Sequence, residues 1–299
     1  MKTFAISKFG HALSVLAIVL PAISPISSVA QEAADETHAG RHRIDIAGRQ
    51  RMLTQRIAKS ICFIHHGEEV EMHLDMLAND HELFSDTLNI LIEGGGEFHL
   101  EPEHDRRTLD ELHKVAELWG PFDEKTVHII ATGVVSKEDE EYVDTHDLEL
   151  LNYSNRAVSL IEQTYANPNT LNMATAITLN IFGRQRMLAQ RAAKDFCFIS
   201  TGYKAAEERV DLQETQNIFT LSLNAIHHGL PEMGIAPPPT DEITAQLEIV
   251  AEIWGGMNEV FLSVIAGADP TVEQISFIAM KSNLLQDAMN EAVHMYSDN

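Results

Sequence analysis

Two short windows of the chain concentrate its capacity to hold an anion. Arg49, Arg51, Arg56 and Lys59 lie in one, and Arg184, Arg186, Arg191 and Lys194 in the other. Together they carry eight of the 21 basic residues, yet neither 49–59 nor 184–194 contains an Asp or Glu, in a chain with 45 acids and a formal charge of −24. A guanidinium keeps its charge at any physiological pH and presents a planar fork of donors suited to a small oxyanion. A solvated helix face would place carboxylates three or four residues from each base. The sequence shows none within these helical windows, which leaves acids on a neighbouring helix, or a bound anion, as the counter-charge.

Helical spacing sorts these residues further. At about 3.6 residues per turn, Gly48, Arg51, Gln55, Ala58 and Cys62 fall in one narrow arc with the alternating spacing of a helix–helix seam. Ile46, Leu53, Ile57, Ile61 and Ile64 occupy another arc, expected to face the core, while Arg49 and Arg56 point away toward solvent or a neighbouring carboxylate. The second window repeats the seam residue for residue, as Gly183, Arg186, Gln190, Ala193 and Cys197. Two identical seams invite pairing about a pseudo-twofold axis, with the small residues letting the backbones approach. That pairing brings Arg51 and Arg186 together, which is unfavourable unless something negative lies between them. A single small anion on the axis, held by two guanidinium forks and the amides of Gln55 and Gln190, would satisfy the groups. Pairing within one chain and pairing between chains are both compatible with the pattern.

The elements that must position these residues come from an internal duplication. An offset of 135 relates Gly48 to Gly183, Cys62 to Cys197, Phe84 to Phe219, Pro102 to Pro237 and Trp119 to Trp254. Beyond Trp254 the second copy reads as four residues shorter, which sets Asn283 opposite Asn152. Apolar periodicity gives four helices in the first copy, about 42–66, 68–92, 105–132 and 138–166, punctuated by Gly67, Gly94 to Gly96 and Gly133. Sustained period-two runs and hairpin turns are absent. The expected fold is all-α: two tandem four-helix bundles, module 1 over 44–166 and module 2 over 179–299, with a lead-in at 31–43 and a linker with the start of the next helix at 167–178. Trp119 and Trp254 are expected in the two cores.

The stretch I-x-x-x-G-R-Q-R-M-L-x-Q-R followed by A-K, present from Ile44 and again from Leu179 with Leu in place of Ile, resembles the N-terminal ligand-binding module of PilJ-type chemoreceptors. It is similar also to the periplasmic P-box of NarX-type nitrate/nitrite sensor kinases. The resemblance implies a four-helix bundle that holds nitrate or nitrite between the first helices of two modules. The contact is made by the arginine three residues after the glycine, here Arg51 after Gly48 and Arg186 after Gly183. Those receptors carry flanking transmembrane helices and a cytoplasmic output domain. This sequence offers neither after Tyr296, so a separate membrane-bound receptor, kinase or transporter is expected to read the bound state.

The first thirty residues carry the three-part pattern of a secretory signal peptide. Lys2 and Lys8 precede the apolar run Ala12 to Ile23, and Ser28-Val29-Ala30 supplies the small residues before a cleavage site. Export to a periplasm follows as the expectation, with no transmembrane helix in the mature chain. In that compartment Cys62 and Cys197 would be either bonded to each other or two separate buried thiols. Fifteen histidines raise a metal question. The spacings His65/Glu69/His73 and Glu291/His294, with Asp110/His113 as a second half and Gln163 at the position matching His294, do not complete a ligand set. The expectation is no resident metal and no cofactor. Nucleophile–base pairs and phosphate loops are absent, so an enzyme is not expected. The acidic balance argues against nucleic acid as a partner. A ligand-free helical adaptor and a metal-dependent bundle enzyme are the other readings.

Overall fold

The computed structural model describes residues 25–97, 99–165 and 173–297. The segment read as an export signal therefore falls mostly outside the described residues, as does the beginning of the linker. Eight helices follow in order: α1 Pro25–His66, α2 Val70–Glu93, α3 Arg106–Thr132, α4 Lys137–Tyr165, α5 Met173–Thr201, α6 Ala205–His228, α7 Asp241–Ile265 and α8 Val272–Ser297. The described residues contain no strand beyond two isolated bridges, Gly95–Leu100 and Leu230–Ile235, which occupy the same place in each copy. The fold is thus an all-α tandem duplication. One boundary differs from expectation: 31–43 does not precede the first helix but lies inside α1. No proline interrupts that Ala- and Glu-containing stretch, the helix runs on through Gly40, and Pro25 suits a first helical position.

Local chemistry sets the other ends. Gly67 and Glu69 have φ of +76° and +44° between α1 and α2, and Gly202 and Lys204 have +80° and +47° between α5 and α6. These left-handed residues stop one helix and restart the next at a new angle. The Asp105 carboxylate accepts the Thr108 N–H at 3.0 Å to start α3, and the Thr240 hydroxyl accepts the Ile243 N–H at 3.3 Å to start α7.

The register of the duplication is simpler than the sequence indicates. Helices α6, α7 and α8 each begin 135 residues after α2, α3 and α4. Buried Leu150 and Ala157 match buried Leu285 and Ala292. The Gln55 amide donates to Asp147 on α4, and Gln190 donates to Ser282 on α8, across the same separation of 92. The shorter second copy is therefore a misreading. Helix α7 stops two residues early relative to α3 and a longer connector makes up the difference. Asn152 matches Asp287, not Asn283.

The buried apolar side chains of the two modules join in one continuous core. Ile46, Leu53, Ile57, Ile61 and Ile64 are buried on the inner face of α1. Trp119 packs on Phe84, and Trp254 on Phe219, with ring centroids 4.2 and 3.8 Å apart. Each indole N–H donates to a hydroxyl on the second helix of its module, Ser85 or Thr220. The residues from Thr37 to Asn299 form a single compact unit, so the two modules pair within one chain. Lys59 on α1 reaches Ser282 and Asn283 on α8, and its equivalent Lys194 on α5 reaches Asp147 on α4. Among the described residues, no helix is long and apolar enough to cross a membrane.

Candidate anion site at the module interface

Helices α1 and α5 cross where each carries glycine. A Cβ added at Gly48 or at Gly183 would stand 3.7 Å from the same atom, Nη2 of Arg51. The Arg51 guanidinium thus lies against both glycines, and a methyl group at either would stand in ordinary van der Waals contact with it. Arg51 is 8% exposed, and its Nε–H has no hydrogen-bond partner among the described residues. No carboxylate forms an ion pair with it among the described residues. Burial lowers its affinity for a proton; Glu162 opposes that effect, and Arg184 and Arg186 add to it. The group nonetheless stays charged, because an arginine titrates far above physiological pH.

Arg186 is placed differently. Its Nη1 donates to Asn290 Oδ1 at 3.5 Å and its Nη2 lies 3.9 Å from Asp45 Oδ1. Burial again lowers its pKa, with Asp45 opposing and Arg49 reinforcing. The glutamines do not join an axial cluster. Gln55 Nε2 donates to Asp147 Oδ2 at 3.2 Å, and Gln190 Nε2 to the Ser282 carbonyl at 3.3 Å. Each amide is drawn to the fourth helix of its own module because both are fully buried and α4 or α8 supplies the nearest acceptor.

Arg51 also lines an open cleft of about 620 Å³, whose walls include Asn152, Asn155 and Glu162 of α4 and Asn180 and Arg184 of α5. Arg184 is exposed and has no ion pair among the described residues. Glu162 is half-buried, and desolvation raises its pKa while Arg51 and Arg184 pull it down. Asn180 Nδ2 lies 3.5 Å from Glu162 Oε2. The sequence pointed to Arg184 only as part of a basic window. Glu162 and the asparagines carried no signal, since the register of α4 against α5 had to be known first.

Of the other bases in the two windows, Lys59 donates to Ser282 and Asn283, and Arg49, Arg56, Arg191 and Lys194 pair with acids, some of them on their own helices. Arg49 Nη2 lies 2.6 Å from Asp45, four residues back, and Arg191 Nε lies 3.9 Å from Asp195, four residues on. The expectation that the helices lack such partners is corrected on this point: both acids stand just outside the windows. Arg191 further bonds Asp211 at 3.2 Å. Arg56 holds Asp80 of α2 through two donors, with Nε 2.6 Å from Oδ2. Lys194 lies 2.6 Å from Asp147 and 3.0 Å from Asp195.

Farther along the seam, Cys62 and Cys197 are joined as a disulfide with Cα atoms 6.2 Å apart. With His66 they make the one group of three potential metal-ligating residues gathered within 4.8 Å among the described residues, and its two sulfurs are already bonded to each other. His73 is fully buried and stacked on Phe63, away from His65 on the surface.

A search of curated proteins returns no match to this chain. A family model does match, twice, at residues 37–145 and 169–276: PilJ, the type IV pili methyl-accepting chemotaxis transducer N-terminal domain. The matched segments cover most of the chain, each running from the first helix of a module into the start of its fourth, so the protein belongs to the PilJ N-terminal domain family, with two copies of that sensory domain in one chain.

Proposed function

We propose that this protein is an exported sensory module that binds one small oxyanion, nitrate or nitrite, at the crossing of α1 and α5, and that a separate membrane-bound receptor, kinase or transporter reads the bound state. The observation that carries this reading is Arg51: a guanidinium 8% exposed, seated against Gly48 and Gly183, with no ion pair to a carboxylate among the described residues. An unpaired buried cation is unfavourable, and a monoanion with coplanar oxygens matches its fork. The sensory character of the family supports a signalling role over transport or catalysis. The N-terminal sequence pattern supports export.

Thermal unfolding in nitrate, nitrite, sulfate and chloride at constant ionic strength tests it. A ligand at one hundred times its dissociation constant stabilises the folded state by about 2.7 kcal/mol. Nitrate or nitrite is expected to raise the midpoint selectively in the wild type and not in Arg51→Ala, with Arg51→Lys recovering only part because a lysine lacks the fork. Equal, small shifts for every salt, unchanged by Arg51→Ala, would instead identify a helical adaptor without a ligand.

A further inference from the structure

The duplication offers two equivalent arginine positions, and the chain treats them unequally. The offset of 135 pairs Arg51 with Arg186, Arg184 with Arg49, Asn180 with Asp45 and Asn152 with Asp287. On the α8–α1 side, Asp45 bonds Arg49 at 2.6 Å and approaches Arg186 to 3.9 Å, while Asn290 accepts from Arg186 at 3.5 Å. On the α4–α5 side, asparagine stands where Asp45 and Asp287 stand on the other. There neither Arg51 nor Arg184 has an ion pair among the described residues, and both line the open cleft. The two sides do not differ in the number of arginines. They differ in whether a carboxylate has already taken them.

We infer that the chain binds a single monovalent anion on one face only, in the α4–α5 cleft between Arg51 and Arg184, and that Asp45 is a built-in carboxylate occupying the mirror-image position. This rests on the reading of Arg51 given above and replaces a symmetric grip by Arg51 and Arg186 with a one-sided one. Valence follows from the cleft's own charges. The lining carries Arg51, Arg184, Arg191, Glu162 and Glu214; Arg191 is paired with Glu214 at 3.8 Å, and the other two guanidiniums with Glu162 leave room for one negative charge, so a dianion such as sulfate would meet an uncompensated carboxylate. Asn152, Asn155 and Asn180 bring amide donors to the same walls without adding charge. Arg184, being exposed, is the group that an incoming anion meets first, and Arg51 the one that holds it out of water.

Isothermal titration of the purified chain with sodium nitrate, compared with sodium sulfate, tests the inference. The wild type is expected to bind one nitrate per chain. Arg184→Ala is expected to weaken binding by about tenfold or more, the effect of losing a charged hydrogen-bond donor. Arg186→Ala should change it much less, and Arg106→Ala, which removes an exposed charge on α3, should match the wild type. Glu162→Gln is expected to improve sulfate binding relative to nitrate. Asp45→Asn is expected to raise the stoichiometry toward two, and a value that stays at one would overturn the role given to Asp45. Nitrate binding that is lost in Arg186→Ala but kept in Arg184→Ala would overturn the one-sided site while leaving the anion-binding reading intact. Absence of binding by any anion to the folded wild type would overturn both.

Discussion

The Cys62–Cys197 bond closes a loop across 135 residues and fastens α1 to α5 on the same seam that carries Arg51. A cross-link of that span restricts the unfolded chain strongly, so removing it is expected to lower stability by about 3–5 kcal/mol. Urea unfolding of oxidised protein against the double substitution Cys62→Ser with Cys197→Ser measures this, and coincident midpoints would show that helix packing alone fixes the seam. At this scale the sequence was legible where a residue type has few alternatives. Glycine beside arginine at seam spacing pointed to a close crossing, and the crossing has Arg51 in it. It was not legible where a side chain chooses among neighbours. Gln55 and Gln190 share the seam arc with the arginines, but long flexible amides turn to the nearest buried acceptor, which lies on α4 or α8. Arg51 and Arg186 occupy equivalent positions, and the residues that separate their surroundings are few: Asp45 against Asn180, Asp287 against Asn152 and Ser297 against Glu162.

Helix boundaries followed from glycine punctuation and apolar period. The ends at His66, Glu93 and Thr132 fall at or within a residue of those expected. What punctuation did not show was that α1 begins at Pro25, because the polar stretch 31–43 carries no apolar period to extend the helix back to it. Nor could it show that a longer connector offsets the early end of α7. The turn between α2 and α3 illustrates how strongly one glycine can be required. Gly94 has φ +78°, and a Cβ there would come within 2.7 Å of the Pro102 nitrogen; Gly229 repeats this, with Pro237 nitrogen at 2.9 Å. Gly67 has nearly the same φ, +76°, but open space around it. Both Gly→Ala changes carry the cost of a left-handed alanine, about 1 kcal/mol. Gly94→Ala is expected to lose clearly more, because backbone must also move. Urea midpoints of the two variants compare the terms directly, and equal losses would mean that the 94–102 turn yields easily.

Across the whole molecule, the duplicated modules have diverged in charge while keeping their register. Lys59 and His73 of module 1 correspond to Lys194 and Glu208 of module 2. Lys194 is surrounded by Asp147, Asp195 and Glu208, whereas Lys59 has Ser282 and Asn283 as hydrogen-bond partners. Burial, with Arg56 adding, brings the Lys59 ammonium down to about 7 from 10.5. Burial and nearby Lys59 bring His73 down to about 3 from 6.5, and both of its ring nitrogens lack partners. Burial, with Asp195, Asp144 and Asp147 outweighing Lys194, pushes Glu208 up to about 9 from 4.5. The signs differ. Glu208 is raised on folding, so its contribution is full below pH 4.5 and lost as pH rises to 9. His73 is depressed, so its contribution is full above 6.5 and lost as pH falls to 3. Lys59 is also depressed, so its contribution is full above 10.5 and lost as pH falls to 7. Between pH 4.5 and 6.5 Glu208 and His73 oppose each other, and between 7 and 9 Glu208 and Lys59 do. Each group changes stability by at most about 1.4 kcal/mol per pH unit, so the three largely cancel in both windows. Glu208→Gln is expected to remove one contribution that falls with rising pH, so that stability climbs more with pH in the variant than in the wild type. Urea midpoints at several pH values between about 5 and 9 would show the two profiles diverge, and parallel profiles for variant and wild type would mean that Glu208 is ionised in the folded core.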